Sequence, residues 1–294
     1  MTLMRRIVVL PLILALVAAP APAAAWGFEA HKFIMARAIA LLPTEIRPFF
    51  TKYETSIVEH SIDPDLWRTV GWLDESTRHF VDMDAYGPYP FKEFPRRYDE
   101  AVKRYGAEFV AKNGTLPWRT EEMYQKLVEA FTQKATYSRE NIKLFASVIA
   151  HYTADGHVPF HATLNHDGQL TGQWGIHARF ESDLFERYRS QLALSPRPPA
   201  TVGSPHDFIL DTLVVSFSLV QPILDADKSA VDGRQVYDDV YFERFFAKAK
   251  PILEKRVSDS IADVAAIITA AWIDAGRPAL PLDVSKPPRK VGRQ

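Results

Sequence analysis

The sequence predicts an all-α protein, mostly helical over residues 26–276, on three observations. Apolar residues recur at three- and four-residue steps in segment after segment, the period of an amphipathic helix. No sustained apolar–polar alternation bounded by hairpin turns follows residue 25. Proline and glycine gather between the periodic segments, where they mark loops.

Residues 1–25 read as an export signal. Arg5 and Arg6 precede an apolar run over 7–19 that is too short to span a bilayer, and small residues close the stretch. Cleavage before Trp26 would send the protein to the periplasm or out of the cell. The first helix carries Ile34, Met35, Ala38, Leu41 and Leu42 on one face and is stopped by Pro43. A second helix is expected over 121–135, with Met123, Leu127, Val128 and Phe131 aligned. A third should run from Ser138 to about Gly156, with Ser138 and Glu140 as its start signal and Pro159 beyond its end. Two long patterns follow, 206–224 and 238–275, with Pro251 as a break or kink in the second. Loops are expected at 86–91, 113–117, 168–175 and 195–205, and a disordered, proline-rich basic tail at 277–294.

The 294 residues are 47% hydrophobic and 24% charged, an ordinary globular composition that excludes fibrous, disordered and multi-span classes. There is no cysteine, which removes disulfides, thiolate zinc sites, cysteine-held iron–sulfur clusters and cysteine nucleophiles together. Any metal must be held by nitrogen and oxygen. The formal charge of −1 becomes more negative without Arg5 and Arg6, so the composition carries no general attraction to phosphate backbones.

The nine histidines all follow residue 25. His151 and Asp155 lie four apart in a helical pattern and project from one face, where they can hold one ion. His161 follows the proline break, and His177 with Glu181 repeats the four-residue step. A surface ion pair has the same spacing, but two such pairs flanking another histidine favour metal ligation. Upstream, Asp63-Pro-Asp65-Leu-Trp-Arg68 follows His60, and His79 sits near Asp82 and Asp84. Asp63 suits a helix cap before Pro64. A Trp26 amine freed by cleavage, with a pKa of about 8, could chelate a metal together with its own carbonyl, and His31 would be a further donor or simply a helix residue. His157, His166 and His60 suit supporting hydrogen bonds or plain exposure, Asp82 could hold a histidine ligand in place, and His206 suits a helix start.

Trp26, His31, the Asp-x-x-Arg at Asp65, the His-Phe at His79, His151-x-x-x-Asp155-x-x-x-x-x-His161 and His177-x-x-x-Glu181 occur in the order found in a known superfamily. The chain resembles, over essentially its whole length after residue 25, the zinc-dependent phospholipases C and fungal single-strand-specific nucleases. The resemblance implies a mostly helical single domain whose cleft holds three zinc ions. It puts Asp65, His79, His151 and Asp155 on one ion of a close pair and Trp26, His31 and the other oxygen of Asp155 on its partner. A third ion falls to His161, His177 and Glu181.

The implied chemistry is phosphodiester cleavage by a zinc-bound hydroxide, with Asp65 as a ligand or as the base that orients and deprotonates the water. Arg68 and Arg179 are candidates for substrate phosphate contact or for structural ion pairs. The substrate is a phospholipid, with peripheral membrane contact, or a nucleic acid, and no obligate protein partner is implied. Glu181 where the nucleases more often carry aspartate, the missing cysteines and Pro64-Asp65-Leu66-Trp67 point to the phospholipase branch. The short step from Trp26 to His31 points to the nuclease and 3′-nucleotidase branch, as do Tyr86, Tyr89, Phe91 and Trp174 if they stack bases. Those aromatics would equally meet a choline headgroup or fill the core. A secreted zinc-binding protein without turnover is the reading from another class.

Overall fold

The longest apolar pattern in the sequence becomes the element around which the others pack. In a computed structural model describing residues 26–134 and 137–280, Asp239–Asp274 forms one helix of 36 residues. Asp238 starts it by accepting the Tyr241 amide at 2.9 Å. Pro251 lies inside the helix without ending it. From Arg256 to Trp272 nearly every side chain is buried, as expected of a helix enclosed on all sides. Phe28–Leu41, Leu116–Thr132, Ser138–Asp155 and Val220–Val231 pack against it. The architecture is all-α, with no strand among the described residues.

Most expected helices form with shifted ends. Phe28–Leu41 stops before Pro43. Leu116–Thr132 begins five residues earlier than expected, because Pro117 falls in the first turn, where a missing amide costs nothing. In Ser138–Asp155 the serine is the first helical residue and not a cap; its hydroxyl donates to the Gln133 carbonyl at 2.7 Å.

The expected single helix over 206–224 is two, Pro205–Ser218 and Val220–Val231. Pro222 has no amide for the Ser218 carbonyl, so the hydrogen-bond ladder cannot run through. The tail expected at 277–294 begins docked: the Trp272 indole donates to the Pro278 carbonyl at 2.9 Å, and Leu280 packs on the core. The rest of the tail and the expected export signal lie outside the described residues.

One loop contact positions the site directly. The Asn113 carbonyl accepts the Asp82 amide at 2.8 Å, Thr115 donates to the Thr77 carbonyl at 2.7 Å, and Leu116 donates to the Phe80 carbonyl at 3.1 Å. These three bonds clamp the segment that carries His79. Gly114 makes the close approach possible: its φ is +85°, and a Cβ there would run into the Phe80 carbonyl. Gly114→Ala is therefore expected to destabilise the fold by at least about 2 kcal/mol, read as a lower urea midpoint. An unchanged midpoint would show that the clamp is dispensable.

Candidate metal centre

The helix Ser138–Asp155, buried from Ala146 to its end, supplies His151 and Asp155 from its C-terminal turns, one above the other at the four-residue step. Four imidazoles surround the Asp155 carboxylate. His31 Nε2 lies 3.3 Å from Oδ1 and His161 Nδ1 3.9 Å from it; His79 Nδ1 lies 3.0 Å and His151 Nε2 3.3 Å from Oδ2. His31 comes from the first helix, and its ring stacks on His151 with centroids 3.9 Å apart. Asp65 comes from the short helix Asp63–Thr69, its Oδ1 at 3.7 Å from His79 Nδ1 and 3.9 Å from His151 Nε2.

Glu181 lies beyond, in one turn of π-helix over Arg179–Asp183, a local widening that often marks a functional position. Its Oε2 is 3.0 Å from His177 Nε2 and 4.0 Å from His161 Nε2. His161, His177 and Glu181 thus lie close enough together to form one potential metal-holding group. His31, Asp65 and His151 form a second, and His79, His151 and Asp155 a third; sharing His151, these two merge into one cluster.

Burial and charge set the proton balance. Burial lowers His31 and takes His161 well below the usual imidazole range. His151 is raised to about 9, because Asp155 and Asp65 outweigh the burial that opposes its charge. Burial works against an ionised Asp155, but His151 and His161 prevail and hold it well below the usual carboxylate range. Burial pushes Glu181 up to about 7, with His177 opposing.

The centre contains more acceptors and donors than it satisfies internally. His31 Nε2, Asp65 Oδ2, Asp155 Oδ1, His177 Nε2 and both oxygens of Glu181 are buried without a hydrogen-bond partner. Buried groups of this kind are normally paired or coordinate a metal. Imidazole and carboxylate are the donor set that suits a borderline divalent cation when thiols are absent. The residues therefore fit a metal, and binding would displace the His151 proton.

Surrounding bonds fix the ligand geometry. The His151 Nδ1 edge meets the Ser61 carbonyl at 2.8 Å, and the His161 Nδ1 edge meets the His79 carbonyl at 2.6 Å. Trp26 is fully buried, and its indole donates to the Ala154 carbonyl at 2.8 Å, which places it beside Asp155. The turn leading from Asp155 to His161 is held by buried Arg256, which donates to the His157 carbonyl at 3.0 Å and to Ser216 Oγ at 2.9 Å. Asp84 accepts the Leu164 amide at 2.8 Å and the Thr163 hydroxyl at 3.0 Å, fixing the chain just after His161.

Arg68 and Arg179 take the structural ion-pair reading, and the roles expected of several other residues change. Arg68 donates to Asp65 Oδ1 at 2.6 Å, so it holds a site carboxylate. Arg179 is buried and donates to Tyr241, Asp227 and the carbonyls of Gln173 and Trp174, which makes it an anchor for the Trp174 loop and not a phosphate contact. Tyr86 and Phe91, each 6% exposed, belong to the core and are closed to substrate stacking, whereas Trp174 is 65% exposed. His60 pairs with Asp63 at the surface at 2.8 Å. His157 faces Asp263 at 3.2 Å, away from the metal-holding groups. Asp82 bonds to no histidine among the described residues, and its Oδ1 is buried without a partner.

Sequence reasoning missed Glu75, which is fully buried next to His79 and accepts the Tyr152 hydroxyl. The same four-residue step that marks the other pairs separates Glu75 from His79 and was the available signal. No protein-family model matches the chain, and comparison with curated proteins finds no match.

The raised Glu181 carboxyl has a measurable consequence. Without metal, the folded protein retains there a proton that the unfolded chain releases between about pH 4.5 and 7, so stability falls as pH rises through that window. Metal-free Glu181→Gln is expected to melt above metal-free wild type at about pH 8 and to lose that advantage at about pH 4.5. Equal melting temperatures at the higher pH would contradict this origin of the shift.

Proposed function

We propose that the protein is an exported zinc-dependent phosphoester hydrolase of the phospholipase C type, with three zinc ions in one buried centre. The observation that carries this reading is the convergence of unpartnered nitrogen and oxygen atoms from His31, Asp65, Asp155, His177 and Glu181. They come from separate stretches of chain, in the order in which the resembling superfamily carries its ligands. Of the three ions, one is assigned to His161, His177 and Glu181, and the other two to the merged cluster with Trp26 at its edge.

Zinc bound there would supply Lewis-acid stabilisation of the phosphoryl oxygens and lower the pKa of a coordinated water towards neutrality. The chain's own residues orient the reaction. With Arg68 fixed on Asp65 Oδ1, Oδ2 is the oxygen available to orient the attacking water and accept its proton. Tight packing around Asp155 and His151 excludes bulk water from the ligands' far side.

Exposed apolar residues on the chain segments that carry site residues favour a lipid. Leu164, Leu170 and Trp174, in the segment between His161 and His177, are exposed, Leu170 by 69%. Val70 and Trp72, which follow Asp65 in the chain, are exposed as well. Apolar side chains of this kind suit an aggregated lipid substrate.

Purified protein should be assayed side by side on phosphatidylcholine vesicles, single-stranded DNA and RNA, with a chelator and after zinc restoration. The expected outcome is release of phosphocholine, abolished by chelation and recovered with zinc. Cleavage of nucleic acid alone would establish the nuclease reading in its place. Zinc-loaded protein inert on all three would favour the binding-only reading.

A further inference from the structure

We infer that Glu75 is a positioning residue for the metal centre, orienting the His79 imidazole so that Nδ1 is the atom offered to the cation. The inference deepens the metal reading above and rests on it. The His79 ring has two edges with different surroundings. Its Nδ1 edge faces the cluster, 3.0 Å from Asp155 Oδ2 and 3.1 Å from His151 Nε2. Its Nε2 edge faces Glu75 Oε1 at 3.7 Å and has no hydrogen-bond partner.

Glu75 is itself held from several sides. The Tyr152 hydroxyl donates to Oε1, Arg78 donates to Oε2 at 2.9 Å, and Arg119 stands 3.9 Å from Oε2. Arg119 also donates to the Tyr152 hydroxyl at 3.2 Å. A fully buried carboxylate is costly, and donors that fix it in place explain how it is tolerated without explaining why it is there. The position of His79 supplies the reason.

His151 and His161 each turn one ring nitrogen to a backbone carbonyl, Ser61 and His79 respectively. Glu75 is the equivalent acceptor for His79. Once a cation takes the lone pair of Nδ1, the ring proton must sit on Nε2, and a small ring rotation closes the 3.7 Å gap into a hydrogen bond. Carboxylate acceptors behind a ligating imidazole fix its tautomer and orientation and strengthen it as a donor to the metal.

The test compares wild type with Glu75→Gln, Glu75→Asp and the control Glu122→Gln, which removes an exposed partner of Arg119. Zinc affinity is measured by competition with a chromogenic chelator, and the ligand field by the visible spectrum of cobalt-substituted protein. In Glu75→Gln one zinc is expected to bind roughly 10- to 100-fold more weakly, with altered cobalt bands. Glu75→Asp, charged but shorter, should fall between it and wild type, and Glu122→Gln should match wild type.

Wild-type zinc affinity and a superimposable cobalt spectrum in Glu75→Gln would overturn the inference. So would a lower metal-free melting temperature with an unchanged spectrum, the signature of a purely structural group. If Glu75→Gln does not fold, Glu75→Asp decides by the same two readouts. A wild-type protein that binds no zinc would instead overturn the metal reading beneath the inference.

Discussion

Asp155 is the constraint on which the rest of the structure depends. A fully buried carboxylate must be compensated, and here four imidazoles from four stretches of chain approach it within 3.9 Å. Each of those stretches has to be delivered to the same point. The first helix brings His31, the clamped segment at 77–82 brings His79, the buried helix brings His151, and the turn pinned by Arg256 brings His161. The fold can be read as the set of anchors needed to make these deliveries simultaneous. Because the chain has no cysteine, none of the anchors is a disulfide. The protein's own hydrogen bonds leave several atoms of the centre unsatisfied, so a cation would complete the compensation and couple its binding to folding.

Legibility in the sequence followed how local each signal was. His151 with Asp155 and His177 with Glu181 could be paired from spacing alone, because a helix fixes residues four apart on one face. The long C-terminal helix was readable because its apolar pattern persists for ten turns, enough to override Pro251. Leu219 was the opposite case. The apolar period continues through it, but Pro222 removes one backbone bond and the helix divides. Short helices such as Glu54–Glu59 and Ala107–Lys112 span too few residues for a period to show. The fates of Tyr86 and Phe91 were beyond local reading, since loop sequence does not say whether an aromatic ring turns inward.

The supporting network was the least legible part because its partners are remote in sequence. Arg256 reaches His157 across 99 residues, Tyr152 reaches Glu75 across 77, and Asp84 reaches Leu164 across 80. Of these residues only Glu75 carries a local signal, its four-residue step to His79. For Arg256, Tyr152 and Glu75 the chemistry becomes visible once packing buries them, at which point each polar group must be accounted for. Arg179 takes the ion-pair one of its two readings, and only packing shows how: its donors go to Tyr241, Asp227 and two loop carbonyls.

That use of Arg179 links the buried centre to the exposed surface. The carbonyls it holds belong to Gln173 and Trp174, so the residue that stiffens the turn carrying Glu181 also sets the backbone position of the exposed tryptophan. Asp84 does the same at the other end of the segment, where its carboxylate fixes Thr163 and Leu164 directly after His161. The loop between His161 and His177 is therefore tied at both ends to groups next to site residues, while the side chains of Leu170, in its middle, and Trp174, near its far end, are exposed to solvent. A loop anchored in this way loses little further conformational entropy when its apolar side chains meet a partner surface. The arrangement fixes the exposed apolar part of the loop relative to the buried histidine and carboxylate cluster.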